Sequence, residues 1–263
     1  MALVPQTVTN NIVVGAGSVM VGALDTSDAS QGFTYRGDTP QFSLNAASTN
    51  VLVESSDGPV ATDLVNVPVK ISYTGTVTFR NISDENLVLF LMGQSETVTQ
   101  TATPVADESI LSVTQGRYYQ LGASSTNPSG VKGIGSVTVT DDVPNPAFTV
   151  TDDYIIDADQ GTIYIVVGGA ITTGTNLLVD YTPTANSRTR VMSDDTGSAA
   201  YEIKFFPRNT AGDDKEIYIP KCRLSPNGEM QLKSRDGAID LVMDISVETR
   251  TGYEQLYIDG IAA

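Results

Sequence analysis

Four aspartates stand close together in the stretch DDYIIDADQGTIYI, residues 152–165, and acidic residues at such spacing can bind Ca²⁺. An EF-hand loop needs oxygen ligands at positions 1, 3 and 5, a glycine at 6 and a glutamate at 12, because about seven oxygens wrap the ion. Counted from Asp157, position 5 is Gly161 and position 12 is Gly168. The pattern therefore favours a β-hairpin over a cation site, with an acidic turn in which Gly161 adopts a positive φ.

Catalytic chemistry finds little support among the residue types present. The chain has no histidine, which removes Ser-His-Asp and Cys-His arrangements and the commonest zinc ligand. Glycoside hydrolysis needs two carboxyls about 5 to 10 Å apart in a cleft, whereas adjacent residues of a strand point to opposite faces. The adjacent acidic pairs, which are set among Thr, Gly, Asn or Pro, are Asp141/Asp142, Asp152/Asp153, Asp194/Asp195 and Asp213/Asp214. We therefore expect no enzyme activity, no metal and no catalytic residue.

Nucleotide cofactors are not expected either. The glycines near the N-terminus miss the G-x-G-x-x-G spacing, because Met20 occupies its last position. The net charge is −16, from 31 acidic and 15 basic residues. Tight binding to DNA or RNA requires cations that displace counterions from phosphates, so we expect none. An acidic surface that repels phosphate would instead suit a protein past which DNA slides.

The N-terminal residues, the apolar runs and the cysteine content predict a protein that needs neither a membrane nor an oxidising compartment. The N-terminal residues 1–6 contain no basic or long apolar region of the kind that directs secretion. The longest apolar run, Leu87 to Met92, is far shorter than the about 20 residues that a membrane helix requires. Cys222 is the single cysteine and can form no internal disulfide, so folding in a cytosol is expected.

The pattern of the chain is that of an antiparallel β protein, because Thr, Val, Ile and Tyr are abundant and Gly and Pro recur at short intervals. The clearest strand runs from Leu64 to Arg80, with apolar residues on one parity and mainly hydroxylated ones on the other. Gly75 predicts a bend, a bulge or a hairpin tip in this long segment. The polar parity is either an ordinary solvent face or a functional one; its hydroxylated members are Ser72, Thr74, Thr76 and Thr78.

One short helix is predicted after this strand. Ser83 is placed to cap its N-terminus, acidic residues occupy its first turn, and Gly93 follows as a stop signal. The apolar residues of the helix point in nearly every direction, so a single sheet cannot bury them all. The second cover is either another sheet of the same chain or a neighbouring subunit. The candidate interface residues are Leu87, Leu89, Phe90, Leu91 and Met92.

Three parts of the chain are distinguished by their patterns. Residues 96–190 contain short strand-like runs spaced by 8 to 12 residues, which predicts a small β-sandwich inserted between a core of residues 1–95 and 191–263. Residues 25–50 are rich in Ser, Thr, Asp, Gly and Asn, with scattered aromatics. We predict a long surface loop there, and loops of this length are usually functional or disordered.

Several segments in order resemble the major tail (tail tube) proteins of long-tailed bacteriophages. They are the Thr-rich strand from Val67 to Arg80, then SDENLVLFLMG, RYYQLGASSTNPSGV, DDYIIDADQGTIYI, LLVDYTP and IYIPKCRLSPNGEMQLKS. The resemblance implies a tail-tube-like β-sandwich or barrel subunit in a hexameric ring, whose strands join those of its neighbours around a central channel. It further implies that rings stack into a tube through which DNA passes without sequence-specific binding.

The same resemblance assigns roles to particular residues. It implies that the four hydroxylated residues 72–78 face the channel, that the inserted region decorates the exterior, and that the loop 25–50 orders between stacked rings. The residues expected between rings are Phe33, Tyr35, Arg36, Asp38 and Phe42. Implied partners are further copies of the chain and the tape measure, terminator and tip proteins, in a virion tail assembled in the host cytoplasm. Two rival readings are a carbohydrate-binding or adhesive module, suggested by the middle third and 11 tyrosines, and a glycosidase.

Overall fold

The computed structural model describes residues 12–143, 146–193, 199–233, 235 and 237–260. The chain forms two compact units: one combines the residues up to Glu96 with those from Val191 onward, and the other is Thr97–Arg190. The boundaries expected from the sequence, 96 and 190, lie within one residue of this division.

The described residues contain one short helix, α1, and sixteen strands. In chain order the elements are β1 (Gly17–Leu24), β2 (Ser30–Tyr35), β3 (Gln41–Ser55), β4 (Thr62–Phe79), α1 (Asp84–Leu91), β5 (Gly93–Gln100), β6 (Val105–Ile110), β7 (Tyr118–Gln120), β8 (Ile134–Asp141), β9 (Tyr154–Asp157), β10 (Thr162–Ile165), β11 (Leu177–Pro183), β12 (Asn186–Ser193), β13 (Tyr201–Pro207), β14 (Lys215–Pro226), β15 (Leu241–Val247) and β16 (Tyr257–Gly260). The predicted mainly β fold with one helix is confirmed.

The first unit is built on an eight-stranded antiparallel sheet in the order β2-β1-β13-β14-β15-β4-β3, with β16 paired to β14. The sheet is open, with β2 and β3 as its terminal strands, so the described chain does not close into a barrel by itself. One face is apolar because alternate residues of each strand point to the same side. Its core includes Val21, Val77, Ile203, Ile219, Met243 and Ile245.

Strand β4 runs without interruption through Gly75, so the predicted bend or hairpin tip at this residue is wrong. A Cβ atom at Gly75 would lie 2.3 Å from the carbonyl oxygen of Ser43 on β3. Glycine is required here by the close approach of the neighbouring backbone rather than by a turn. The irregularities between β3 and β4 occur at Thr49/Asn50 and Val53/Glu54 instead.

The predicted polar loop at residues 25–50 is also wrong, because β2 and most of β3 lie within it. Strand β3 pairs with β4 along its whole length, so backbone hydrogen bonds stabilise this strand. Most of its side chains are exposed and contribute little to the core. High polarity here reports exposure to solvent rather than the absence of secondary structure.

Helix α1 begins as predicted: the Ser83 hydroxyl accepts a hydrogen bond from the Asn86 amide at 3.3 Å. Its last residue is Leu91, two residues before the predicted stop at Gly93, because Met92 adopts the left-handed conformation and donates its amide to the Leu89 carbonyl. Gly93 starts β5, where a Cβ atom would lie 1.9 Å from the Met192 carbonyl oxygen of β12, so a close backbone contact requires this glycine.

The second unit contains two three-stranded antiparallel sheets, β7-β10-β9 and β6-β11-β8. Side chains from both sheets share one core, which includes Leu121, Ile163, Ile165, Val139, Leu177 and Val179. The predicted small β-sandwich is therefore confirmed. So is the predicted hairpin: β9 pairs with β10 from Asp157↔Thr162 to Tyr154↔Ile165, and Gly161 has a φ of 68°.

Candidate assembly surfaces

The first candidate surface is the two-stranded ribbon formed by Ala46–Ser55 of β3 and Thr62–Tyr73 of β4. Strand β15 pairs with β4 only from Thr74 onward, so the ribbon leaves the body of the sheet. A two-stranded ribbon is marginally stable in water unless another surface covers it. We name this element the β3–β4 ribbon.

Apolar side chains of the β3–β4 ribbon are exposed. Val51 pairs with Val67, and Val53 pairs with Val65, so these four side chains form two adjacent cross-strand pairs. Burial of a fully exposed valine or leucine side chain contributes about 1.5–3 kcal/mol, so covering this surface would strongly favour association. The residues that are between 46% and 63% exposed are Val51, Leu52, Val53, Leu64, Val65, Val67, Val69 and Ile71.

The second candidate surface is the other edge of the sheet, strand β2, all of whose residues are exposed. Phe33 and Tyr35 lie on this strand and are 39% and 54% exposed. The strand pairs with β1 on one side and ends the sheet on the other. The unpaired outer edge of such a strand can form backbone hydrogen bonds with a strand from another chain.

Two of the five residues expected between rings pack against their own chain instead: Arg36 is buried and Phe42 is partly buried. Arg36 is buried and forms an ion pair with Glu85 of α1. Its backbone carbonyl accepts a hydrogen bond from the Asn86 side chain at 2.9 Å, which fastens the segment to the helix. Phe42 packs on the core and on Phe205, with ring centroids 5.6 Å apart. Asp38 is exposed, and its carboxylate pairs with Arg80.

The helix residues expected at a subunit interface divide into two groups. Leu89 and Phe90 are 3% and 8% exposed and belong to the core of their own sheet, so their assignment to a subunit interface is wrong. The sheet of the same chain buries them because α1 packs against β14 and β15. Leu87 is half-buried, while Leu91 and Met92 are 41% and 39% exposed and remain accessible.

The third candidate surface is the polar face of the sheet, opposite the core. Ser43 pairs with Thr76, which pairs with Asp244, which pairs with Ser225, so one row of small polar residues crosses β3, β4, β15 and β14. A second row contains Asn45, Thr74 and Ser246. Together these residues line a shallow depression of about 710 Å³. We name it the hydroxyl face.

The four residues expected to face a channel are therefore not equivalent. Thr74 is exposed, and Ser72 and Thr76 are half-buried, but Thr78 is 5% exposed and cannot line a channel as the chain stands. Thr78 lies between Gln41 and Val242, which pair with it from both sides. Sequence reasoning missed Asp244 and Ser246, although the alternation LVMDISV in β15 carries the same period-two signal.

Arg80, the residue that follows β4, is paired with two acids. Its Nε lies 3.0 Å from Asp240 and its Nη1 lies 3.4 Å from Asp38. The hydrogen bond and the charge of Asp240 raise the pKa of Arg80. Elsewhere in the first unit Lys204 pairs with Glu216 at 2.8 Å and Lys221 with Asp28 at 2.8 Å.

One carboxylate of the first unit, Glu202, is buried. It accepts a hydrogen bond from the Tyr218 hydroxyl at 2.9 Å and pairs with Arg250 at 3.4 Å. Ser30 of β2 also donates to it, so this network links the edge strand to the sheet. Burial and the hydrogen bond to Glu202 raise the pKa of Tyr218 to about 12. The arrangement is structural, because the carboxylate is enclosed by these partners.

Two of the aspartates in residues 152–159 have structural roles that their contacts define. The buried Asp153 carboxylate accepts hydrogen bonds from the Thr149 and Ala170 amides at 2.8 and 2.6 Å. Asp157 accepts from the Gln160 amide at 3.0 Å within the hairpin turn. No group of three His, Cys, Asp or Glu side chains that could hold a metal ion occurs within the described ranges. Residues 1–11, Asp194 and Asp195 lie outside those ranges.

Among the residues whose structure is described, no helix has the length and apolar character needed to cross a membrane. The fold defines an all-β protein with an open antiparallel sheet and a small β-sandwich as its second unit. The chain belongs to a family described as a protein of unknown function, UCP028589, whose model matches residues 12–250. No curated protein matches the sequence.

Proposed function

We propose that the protein is a structural subunit of a phage tail tube, in which hexameric rings stack around a channel for DNA. The observation that carries the proposal is the β3–β4 ribbon, whose valines, leucines and isoleucine remain about half exposed in a single chain. A soluble protein seldom leaves such a contiguous apolar surface uncovered unless a partner binds there. We assign a second copy of the chain as that partner.

Assembly from identical copies follows from the open sheet. Strand β2 ends the sheet on one side and β3 ends it on the other, so each copy offers two different edges. Contacts between two different surfaces of identical subunits generate a closed ring when the rotation between subunits closes. A ring would leave no free edge at these positions, which is how closed β structures avoid uncontrolled aggregation.

The hydroxyl face supplies a lining suited to DNA passage. Thr74, Thr76 and Ser246 present small hydroxyl groups, and Asp244 adds negative charge. The net charge of −16 gives the assembly a potential that repels phosphate, so DNA would slide without adhering. Arg80 stays charged, but its ion pairs with two aspartates offset the attraction that it would have for phosphate.

The rest of the proposal comes from the resemblance to tail tube proteins. The subunit would contact the tape measure, terminator and tip proteins of a virion tail assembled in the host cytoplasm. The role is structural and uses no cofactor or enzymatic step.

Negative-stain microscopy of the purified full-length chain, together with sedimentation velocity, tests the proposal. We expect ring or tube particles and a sedimentation coefficient that rises with protein concentration, because association buries the ribbon. A monodisperse monomer over the whole concentration range, with no rings, would contradict the proposal and favour an independent adhesive module.

A further inference from the structure

The second unit carries an aromatic patch that the tail tube role leaves unexplained. In the sheet β7-β10-β9, Tyr118 pairs with Tyr164, and Tyr164 pairs with Ile155. Their cross-strand neighbours at the next position are Tyr119, Ile163 and Ile156, which pack into the core of the sandwich. Because successive side chains alternate between faces, Tyr118, Tyr164 and Ile155 share the outward face. We name these three residues the tyrosine patch.

The patch is exposed and held in place. Tyr118 is 70% exposed and Ile155 is 46% exposed, and the Tyr118 and Tyr164 ring centroids are 4.8 Å apart with a tilt of 45°. Aromatic rings at this distance and tilt attract each other, so the contact with Tyr164 restricts the movement of the exposed Tyr118 ring. Apolar and aromatic side chains that lie together on the surface form a patch, and such patches often mark a binding site.

Polar groups border the patch on one side. Tyr118 and the segment 155–159 line a depression of about 390 Å³, within the range typical of small-ligand sites. Asp157 and Asp159 supply carboxylates at its rim, and both are exposed. The unit Thr97–Arg190 contains nine Asp or Glu and four Lys or Arg, a net charge of −5.

We propose that the tyrosine patch binds neutral oligosaccharides. The electron-rich face of an aromatic ring attracts the polarised C–H groups of a sugar ring, and carboxylates accept hydrogen bonds from its hydroxyls. Acidic glycans are disfavoured because the rim and the whole unit are negatively charged. A protein partner is disfavoured by size, since a stable protein interface buries about 800 Å² on each side, whereas this patch comprises three side chains.

The test titrates the full chain with maltohexaose and with chitohexaose, and with a heparin hexasaccharide as a polyanionic comparison. Calorimetry measures affinity, and saturation-transfer NMR reports contact with tyrosine rings. We expect at least one neutral hexasaccharide to bind. Tyr118→Ala should lower the affinity about tenfold or more, which corresponds to about 1.4 kcal/mol or more of binding free energy. Leu111→Ala removes a side chain that is also 70% exposed in the same unit and should leave binding unchanged.

Asp159→Asn provides a second variant. No described side-chain contact depends on this carboxylate, and its backbone carbonyl, which accepts from the Gly133 amide, is retained. We expect several-fold weaker binding with an unaltered circular dichroism spectrum. The proposal is overturned if neither neutral sugar binds, if Tyr118→Ala binds as the parent does, or if heparin binds better. It is also overturned if Tyr118→Ala changes sedimentation but not sugar binding, because the patch would then be a protein contact.

Discussion

Val51 and Val67 lie directly opposite each other on β3 and β4, and 50% and 49% of their surfaces are exposed. The pair lies on the β3–β4 ribbon, away from the strand β15 that covers the other end of β4. The first prediction therefore concerns Val67→Asp. We expect this variant to remain folded but to lose ring formation, because a charge at a buried contact between copies is costly.

Leu111→Asp is the matched control for Val67→Asp. Leu111 is 70% exposed and lies in the second unit, so the control also replaces an exposed aliphatic side chain with aspartate, but outside the ribbon. Sedimentation velocity and thermal unfolding check both variants. Normal assembly of Val67→Asp, or equal loss of assembly in Leu111→Asp, would show that the ribbon does not mediate contact between copies.

The second prediction separates the two apolar sides of α1. Leu89→Ala should lower the free energy of unfolding by about 2–5 kcal/mol, because Leu89 is 3% exposed in the core. Leu91→Ala should change it by no more than about 0.5 kcal/mol, because Leu91 is 41% exposed. Urea unfolding in the Val67→Asp background measures both without a contribution from assembly. Equal effects of the two substitutions would contradict the position assigned to the helix.

The third prediction concerns the close approach of β3 and β4. Gly75→Ala would place a Cβ atom 2.3 Å from the Ser43 carbonyl oxygen, so the strands must move apart. We expect a loss of about 1–3 kcal/mol in the free energy of unfolding, the usual cost of overpacking. Gly15→Ala is the control, because no heavy atom lies within 4 Å of its added Cβ. A Gly75→Ala variant as stable as the Gly15→Ala variant would indicate that Gly75 is not required by packing.

The fourth prediction is a pH dependence from Tyr218. Its pKa is raised to about 12 by burial and by Glu202, so the neutral hydroxyl is favoured in the folded state. An unfolded tyrosine has a pKa of about 10, so the stability that the neutral Tyr218 hydroxyl contributes is fully present below this pH. It is lost as the pH rises toward 12. Tyr218→Phe should lower stability by about 1 kcal/mol at neutral pH and flatten the loss at alkaline pH. Urea unfolding at several pH values measures the effect, and an unchanged alkaline slope would contradict it.

The local features of the fold could be predicted from the sequence. Ser83 caps α1 because a hydroxyl at that position accepts a backbone amide hydrogen bond, and this depends on neighbouring residues alone. The hairpin β9–β10 likewise follows from two β-rich runs and Gly161.

The long-range features could not be predicted. The alternation in β4 is uniform, yet Val77 is fully buried while Val67 is half exposed. The difference arises because β15, more than 160 residues away, pairs with β4 only from Thr74 to Phe79. The burial of Arg36 depends similarly on Glu85 and Asn86, which approach it across the fold rather than along the chain. Residue type alone gave no signal for either.

Thiol labelling of Val67→Cys shows whether another copy of the chain covers the ribbon. The native Cys222 is fully buried, and burial raises the pKa of its thiol, so it should not compete for a maleimide reagent. We expect the labelling rate at position 67 to fall as protein concentration rises and rings form, while a Leu111→Cys variant keeps a constant rate. A rate at position 67 that stays equally fast at every concentration would show that no other copy covers the ribbon.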